Sequence, residues 1–240
     1  MEGESDGDTL PLVRHLNWDG CCNVRDLGGL LAAGGQRTRF GALVRADALD
    51  GLSESGWQAL TRHGVHTVID LRDDDERRAD AAPRPQEVTT MRIPLDVSED
   101  RAFWSVWRTG PQFATPLYYG PHLERFPERN AAVLAAIADA PPGGVVFQVA
   151  LLVLTIAGVP PDVIASDYAL SFGRLPARYG AYREPDQGPV IQRYLAERGT
   201  TAEAVIVELL ANLDVPRVLH DGGLSDAQMD RLRNRLLDAS

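Results

Sequence analysis

Short runs of β-branched and apolar residues alternate along this chain with longer stretches of helical character. His66-Thr67-Val68-Ile69-Asp70-Leu71 reads as a buried strand, ended by the charge cluster Arg72 to Arg78 that would start a polar helix. Met91, Ile93 and Leu95 alternate with polar or small residues and predict a second strand, stopped near Pro94. Val145-Val146-Phe147 predicts a third, running straight into the apolar stretch Val149 to Ala157. Helix signals stand between these runs. Ser53 is an N-cap for Glu54 to His63, with Gly64 at the C-terminal stop. Glu128 to Ala140 is an alanine-rich helix closed by Pro141-Pro142-Gly143-Gly144, and Pro160-Pro161 opens another through about Ser171. Thr200 with Glu203, and Ser225 with Gln228, have capping-box spacing. Strands alternating with helices imply an α/β fold, a central and mainly parallel sheet flanked by helices.

The 240 residues, 44% of them hydrophobic, suffice for one sizeable core. Residues 1–11 are expected to be a disordered acidic tail and residues 12–240 a single domain. A net charge of −10 argues against nucleic acid or an anionic membrane as partner. The polar, acidic start is unlike a signal peptide, and the longest apolar stretch, Val145 to Val159, is too short and too interrupted to span a bilayer. A cytoplasmic location is the expectation. All 24 basic residues are arginine, which excludes Schiff-base chemistry and any lysine-dependent phosphate loop. The two cysteines, Cys21 and Cys22, are adjacent and frame no disulfide scaffold. His15, His63, His66, His122 and His220 lack metal-ligand spacing, so neither metal nor cofactor is expected. Asp73-Asp74-Asp75-Glu76 reads as a solvated helix start rather than a cation site. No G-x-S-x-G elbow is present. The aromatic segment Arg101 to Phe126 packs a core or a covering helix pair, or forms a lid over a cleft.

Several motifs together resemble the bacterial tyrosine phosphatase family, of the mycobacterial secreted, dual-specificity type. They are Asn23-Val24-Arg25-Asp26-Leu27-Gly28-Gly29, Leu43-Val44-Arg45-Ala46-Asp47-Ala48-Leu49, and Val68-Ile69-Asp70-Leu71-Arg72 with Glu76. Ala157-Gly158-Val159-Pro160, Asp167-Tyr168-Ala169-Leu170-Ser171 and Gly223-Leu224-Ser225 follow in the family's order, and the likeness runs over roughly residues 12 to 238. The resemblance implies a phosphatase-like sheet and hydrolysis of phosphoprotein or phosphoinositide monoesters, with no cofactor. It also implies a strand-to-helix loop of the form HCxxGKDRTG. There the backbone N–H groups cradle phosphate, and their field favours the thiolate that attacks phosphorus. The arginine grips two oxygens in a fork, and the loop aspartate protonates the leaving group.

This sequence lacks that loop. The resemblance places it between Phe147 and Gln148, which are neighbours, so ten residues are missing in frame. A cysteine nucleophile needs arginine six positions on; those positions hold Leu27 after Cys21 and Gly28 after Cys22. What the resemblance leaves near the phosphate site is Arg25, Asp26 and Arg72, either as remnants of a ligand pocket or as a structural Arg–Asp network. Three functional readings stand open. One is a family member inactive as written, a relic or a pseudophosphatase that binds a partner. Another is an active cysteine-dependent phosphatase whose recorded sequence is incomplete. The last is a hydrolase using some other site. Oligomeric state and substrate identity are not legible. A strand meeting a helix without connecting residues also predicts a strained, marginally stable junction over residues 144 to 152.

Overall fold

The computed structural model describes residues 14–96, 98–141, 144–146 and 150–238. Among them the chain is an α/β fold with eleven α-helices and a small sheet. The strands are β1 (Arg25–Asp26), β2 (Leu43–Arg45), β3 (Thr67–Asp70), β4 (Thr89–Arg92) and β5 (Gly144–Val146). Their order is β1-β2-β5-β3-β4; β5 runs parallel to both β2 and β3, β4 parallel to β3, and β1 antiparallel to β2.

Strand alternation sorts the core into two layers. Leu43 and Ile69 lie in one apolar cluster with Leu134 and Ile137 of α4 (Pro127–Asp139), Val153 and Leu154 of α5 (Ala150–Ile156), and Ile164 of α6 (Pro161–Ala169). Val44 and Val68, one residue out of step, lie in the other cluster with Trp57 and Leu60 of α1 (Glu54–Arg62). The sheet is therefore covered on both faces. On the side of Leu43, α9 (Ala202–Asn212) packs on α6, while α10 (Val215–Asp221) and α11 (Asp226–Leu236) pack on α4. The remaining helices are α2 (Arg101–Trp107), α3 (Tyr119–Arg125), α7 (Leu175–Tyr182) and α8 (Gly188–Ala196).

The capping signals hold where a side chain closes a turn. Ser53 accepts a hydrogen bond from the Gly56 N–H, and Gly64 follows α1 at φ +82°. Ser225 and Gln228 form the full capping box of α11. The cap expected at Thr200 falls instead on Thr201, whose hydroxyl accepts from the Ala204 N–H. The strand expected to stop near Pro94 runs over Thr89–Arg92; beyond it the Ile93 and Leu95 N–H groups still donate to the Asp70 and Leu71 carbonyls (2.9 Å each), and both side chains pack on the core. Asp73 to Glu76 form a single 3₁₀ turn, capped reciprocally by Asp73 and Glu76, and not the start of an α-helix. The segment Arg101 to Phe126 is a helix pair, α2 and α3, with Phe103 against Trp104 and Phe126, and Phe113 stacked on Tyr118.

The predicted third strand is described over Gly144–Val146 and α5 over Ala150–Ile156. Phe147 and Gln148, the expected junction, lie outside the described residues, as does the expected acidic tail, residues 1–11.

Gly20 shapes the turn that carries Cys21. Its φ is +89°, and a Cβ there would stand 1.9 Å from the Gly51 carbonyl oxygen. Gly34, at φ +70°, faces open space. Gly20→Ala should therefore lower stability by about 2–3 kcal/mol, or roughly 5–10 °C in Tm, and Gly34→Ala by about 1 kcal/mol. Equal losses in thermal melts would show that the close approach to Gly51 does not matter.

Candidate functional site at the carboxyl ends of the strands

A cavity of about 610 Å³ opens where β2 and β3 end and α5 begins, the usual place for a ligand in an open α/β sheet. Arg45, the last residue of β2, and Arg72, two residues past β3, line it from the sheet side. Asp167 and Tyr168 of α6 also line it, the 3₁₀ turns between α2 and α3 add Phe113 and Tyr118, and α3 adds Tyr119. Arg178, Tyr179 and Tyr182 of α7 close the mouth. The aromatic segment thus both packs a core and walls the cleft.

Of the expected remnant residues, only Arg72 lines this cavity. It binds Asp70 through Nε (3.0 Å) and Nη2 (2.9 Å), and Asp50 through Nη1 (2.7 Å). Burial works against its charge, yet these bonds raise its pKa above the usual guanidinium value and hold Asp70 below the usual carboxylate range. Each of its three nitrogens donates to one of two carboxylates.

Arg25 and Asp26 are neighbours in β1 and so serve opposite faces. Arg25 is 0% exposed. It donates to Asn23 Oδ1 (2.6 Å), the Asp167 carbonyl (2.9 Å), the Asp167 carboxylate (3.3 and 3.4 Å) and the Ser171 hydroxyl (3.1 Å). Asp26, on the face of α1, accepts from the Gly28 N–H (2.7 Å) and the Gly41 N–H (2.8 Å) and lies 2.7 Å from His63 Nε2. Among the described residues the partners of both are protein groups, and neither residue lines the cavity.

Asp167 also receives Arg14 as a buried ion pair. Burial pushes its carboxyl up, but the Arg25, Arg14 and Arg45 charges outweigh that and hold it below the usual range. In turn, burial and then the Arg45 charge pull Arg25 down to about 10.

The cysteines stand beside Asp47, a cavity residue. Cys21 Sγ donates to Asp47 Oδ1, and the Cys22 and Asn23 N–H groups donate to the same carboxylate (3.3 and 3.1 Å). Burial, with Asp47 adding to it, pushes both thiols up, Cys21 well above the ordinary value. Neither is disposed to become a thiolate. Among the described residues no group of three His, Cys, Asp or Glu is placed to hold a metal, and no helix is long and apolar enough to cross a membrane.

A tyrosine phosphatase family profile matches residues 16–238. The chain belongs to the tyrosine phosphatase family. It is also similar to a Cupriavidus necator protein named "Putative tyrosine-protein phosphatase", 29% identical over 172 residues. That stretch is 65% of this chain and 62% of the relative, so the match spans under two thirds of the relative's length.

Sequence reasoning missed Arg45 and Asp167 as site residues, although both lie in motifs that carry the family resemblance. The signal for Arg45 was the motif Leu43 to Leu49; that Leu43–Arg45 forms a strand whose last residue lines the cavity was not read from the sequence.

Asp96 lies on the cavity wall, facing Arg108 (3.1 Å) and His122 (3.6 Å). Burial pushes Asp96 up to about 6, against Arg108, and pulls His122 down to about 4. Between about pH 4 and 6 the folded chain holds the Asp96 proton more tightly than the unfolded chain, so stability falls as pH rises there. His122 acts oppositely: the unfolded chain takes up its proton first, so stability falls as pH drops from about 6.5 to 4. The two effects offset each other in the native protein. Asp96→Asn should leave the His122 effect alone and add on the order of 2 kcal/mol of acid sensitivity between about pH 6.5 and 4.5. Urea midpoints that track wild type across this range would refute the assignment.

Proposed function

We propose that this chain is a tyrosine-phosphatase-family scaffold without the family's cysteine–arginine phosphate loop. It does not hydrolyse phosphate monoesters and serves as a binding module for phosphorylated partners, phosphoproteins or phosphoinositides. The observation that carries this reading is the chemistry of its only cysteines. Cys21 and Cys22 precede the Asn23-to-Gly29 motif, neither has arginine six residues on, and burial beside Asp47 keeps their thiols protonated. A thiolate nucleophile requires the opposite setting, with cationic neighbours and N–H donors. The adjacency of Phe147 and Gln148 at the place where the family resemblance puts the loop supports the same conclusion.

The retained cavity and the orderly flanks β5 and α5 favour a second reading, that the gene encodes the loop and the recorded chain omits it. Intact mass of the protein made from its own gene separates the two. A value of 26.2 kDa keeps the loopless reading, and a value heavier by some ten residues ends it.

Activity is tested by insertion. The chain as written should release no phosphate from aryl phosphates or phosphotyrosine peptides above background. An HCxxGKDRTG segment placed between Phe147 and Gln148 should confer hydrolysis that is lost when the inserted cysteine or arginine is replaced. Ten Gly/Ser residues at the same point should restore length without activity. Turnover by the unaltered chain that vanishes in Cys21→Ser or Cys22→Ser would overturn the reading. A folded but inactive HCxxGKDRTG insert would mean the surrounding pocket no longer supports the family chemistry.

A further inference from the structure

A second cavity, of about 50 Å³, stands against the large one, and Asp96, Tyr118, Tyr119 and Leu151 line both. Leu95, Leu123, Leu152 and Leu209 make most of its remaining wall apolar. His122 breaks that pattern. It is 4% exposed, its ring bonds to the Leu95 carbonyl, and Nε2 is buried without a hydrogen-bond partner among the described residues. The imidazole proton belongs to the nitrogen that meets the carbonyl, so Nε2 presents a lone pair at the cavity wall.

What Nε2 faces is another acceptor. Asp96 Oδ1 stands 3.6 Å away, too far for a hydrogen bond, while Oδ2 takes Arg108 Nη2 at 3.1 Å. Two donors of the wall are directed elsewhere: the Asn130 amide nitrogen to the Phe126 carbonyl (2.9 Å), and the Tyr119 hydroxyl to Tyr168 (3.4 Å). Charge adds to the demand for a donor. The Glu76 and Asp73 carboxylates act on Asp96, so three carboxylates work here against the Arg108 guanidinium.

We propose that this cavity binds an alkylammonium group, with its N–H donors shared by Asp96 Oδ1 and His122 Nε2 and its methylenes among the leucines. The volume has room for an ammonium and about two or three methylenes, taking roughly 10–15 Å³ for each water-sized group. A planar guanidinium with its five donors is broader and fits less well. The Tyr118 and Tyr119 rings in the same wall offer aromatic faces to the charge. The chain has no lysine, so a side-chain ammonium must come from another molecule. This site goes beyond the binding-module reading and stands whether or not the chain hydrolyses phosphate.

The pH dependence has a defined sign. Burial pulls His122 down to about 4, so it stays neutral, and pushes Asp96 up to about 6 against the pull of Arg108 and together with Glu76 and Asp73. Tyr118, the remaining titratable group beside Asp96, is buried and keeps its proton. Below about pH 6 Asp96 takes up a proton, and the ammonium loses its counter-charge.

The test is titration of the full chain with propylammonium, followed by amide chemical shifts, at about pH 7.5 and about pH 5, with 1-propanol and methylguanidinium as comparators. At the higher pH, wild type should bind propylammonium about tenfold or more tighter than either comparator, and this affinity should fall about tenfold at the lower pH. Asp96→Asn should lose the preference for amine over alcohol. Leu209→Trp, which fills the cavity and keeps Asp96, should bind neither. Nα-acetyl-lysinamide distinguishes the source: binding as tight as propylammonium assigns the site to a lysine side chain, and weaker binding to a free amine. Equal affinity for amine and alcohol, a preference that survives in Asp96→Asn, undiminished binding by folded Leu209→Trp, or no shifts in folded wild type would each overturn the proposal. Phosphate release from a phosphotyrosine peptide by the same wild-type sample would sink the inactive-scaffold reading and leave this one standing.

Discussion

Asp167 brings one negative charge to a place where three guanidinium groups converge, and much of the molecule is arranged around that fact. Its carboxylate ties α6 to β1 through Arg25 and to the start of the described chain through Arg14. Burying charges is expensive, and a buried pair stripped of one partner costs several kcal/mol. The network therefore fixes where α6 lies against the sheet, and with it the wall of the cavity that Tyr168 and Ser171 provide. Among the described residues, Arg45 is left with its Nε buried and without a hydrogen-bond partner.

The period-two geometry of strands decides which neighbours can cooperate. Arg25 and Asp26 are adjacent in sequence, and the family resemblance groups them near the phosphate site. In the fold one faces α6 and the other faces α1, so they share no ligand. Val44 and Arg45 separate in the same way: Val44 enters the α1-side core and Arg45 reaches the cavity. Arg72 lies beyond its strand, which frees it to reach two carboxylates on different loops.

The sequence was most legible where a local rule acts within a few residues. Ser53 and Ser225 were readable as caps because the donor they satisfy is three residues away. The run Thr67 to Asp70 was readable as a strand because it is buried on both faces. The short strands β1 and β2 were not read as strands at all, since their pairing is set by distant residues. The site was least legible of all. The family motifs marked the region, but Arg45 gains its meaning from what stands opposite it in β1, which a one-dimensional string does not display. The cap at Thr201 rather than Thr200 shows the same limit at small scale: both residues could cap, and the sequence does not display which one does.

The setting of Cys21 reaches beyond nucleophilicity. Peroxide oxidises thiolates far faster than thiols, and susceptibility follows thiolate character and exposure. With both thiols held protonated beside Asp47, these cysteines offer an oxidant little to attack. A cysteine-dependent phosphatase is silenced when its nucleophile becomes a sulfenic acid. Thiols kept in this setting are slow to enter that chemistry, so the turn that carries Cys21 and Cys22 stays unchanged where a low-pKa cysteine would not.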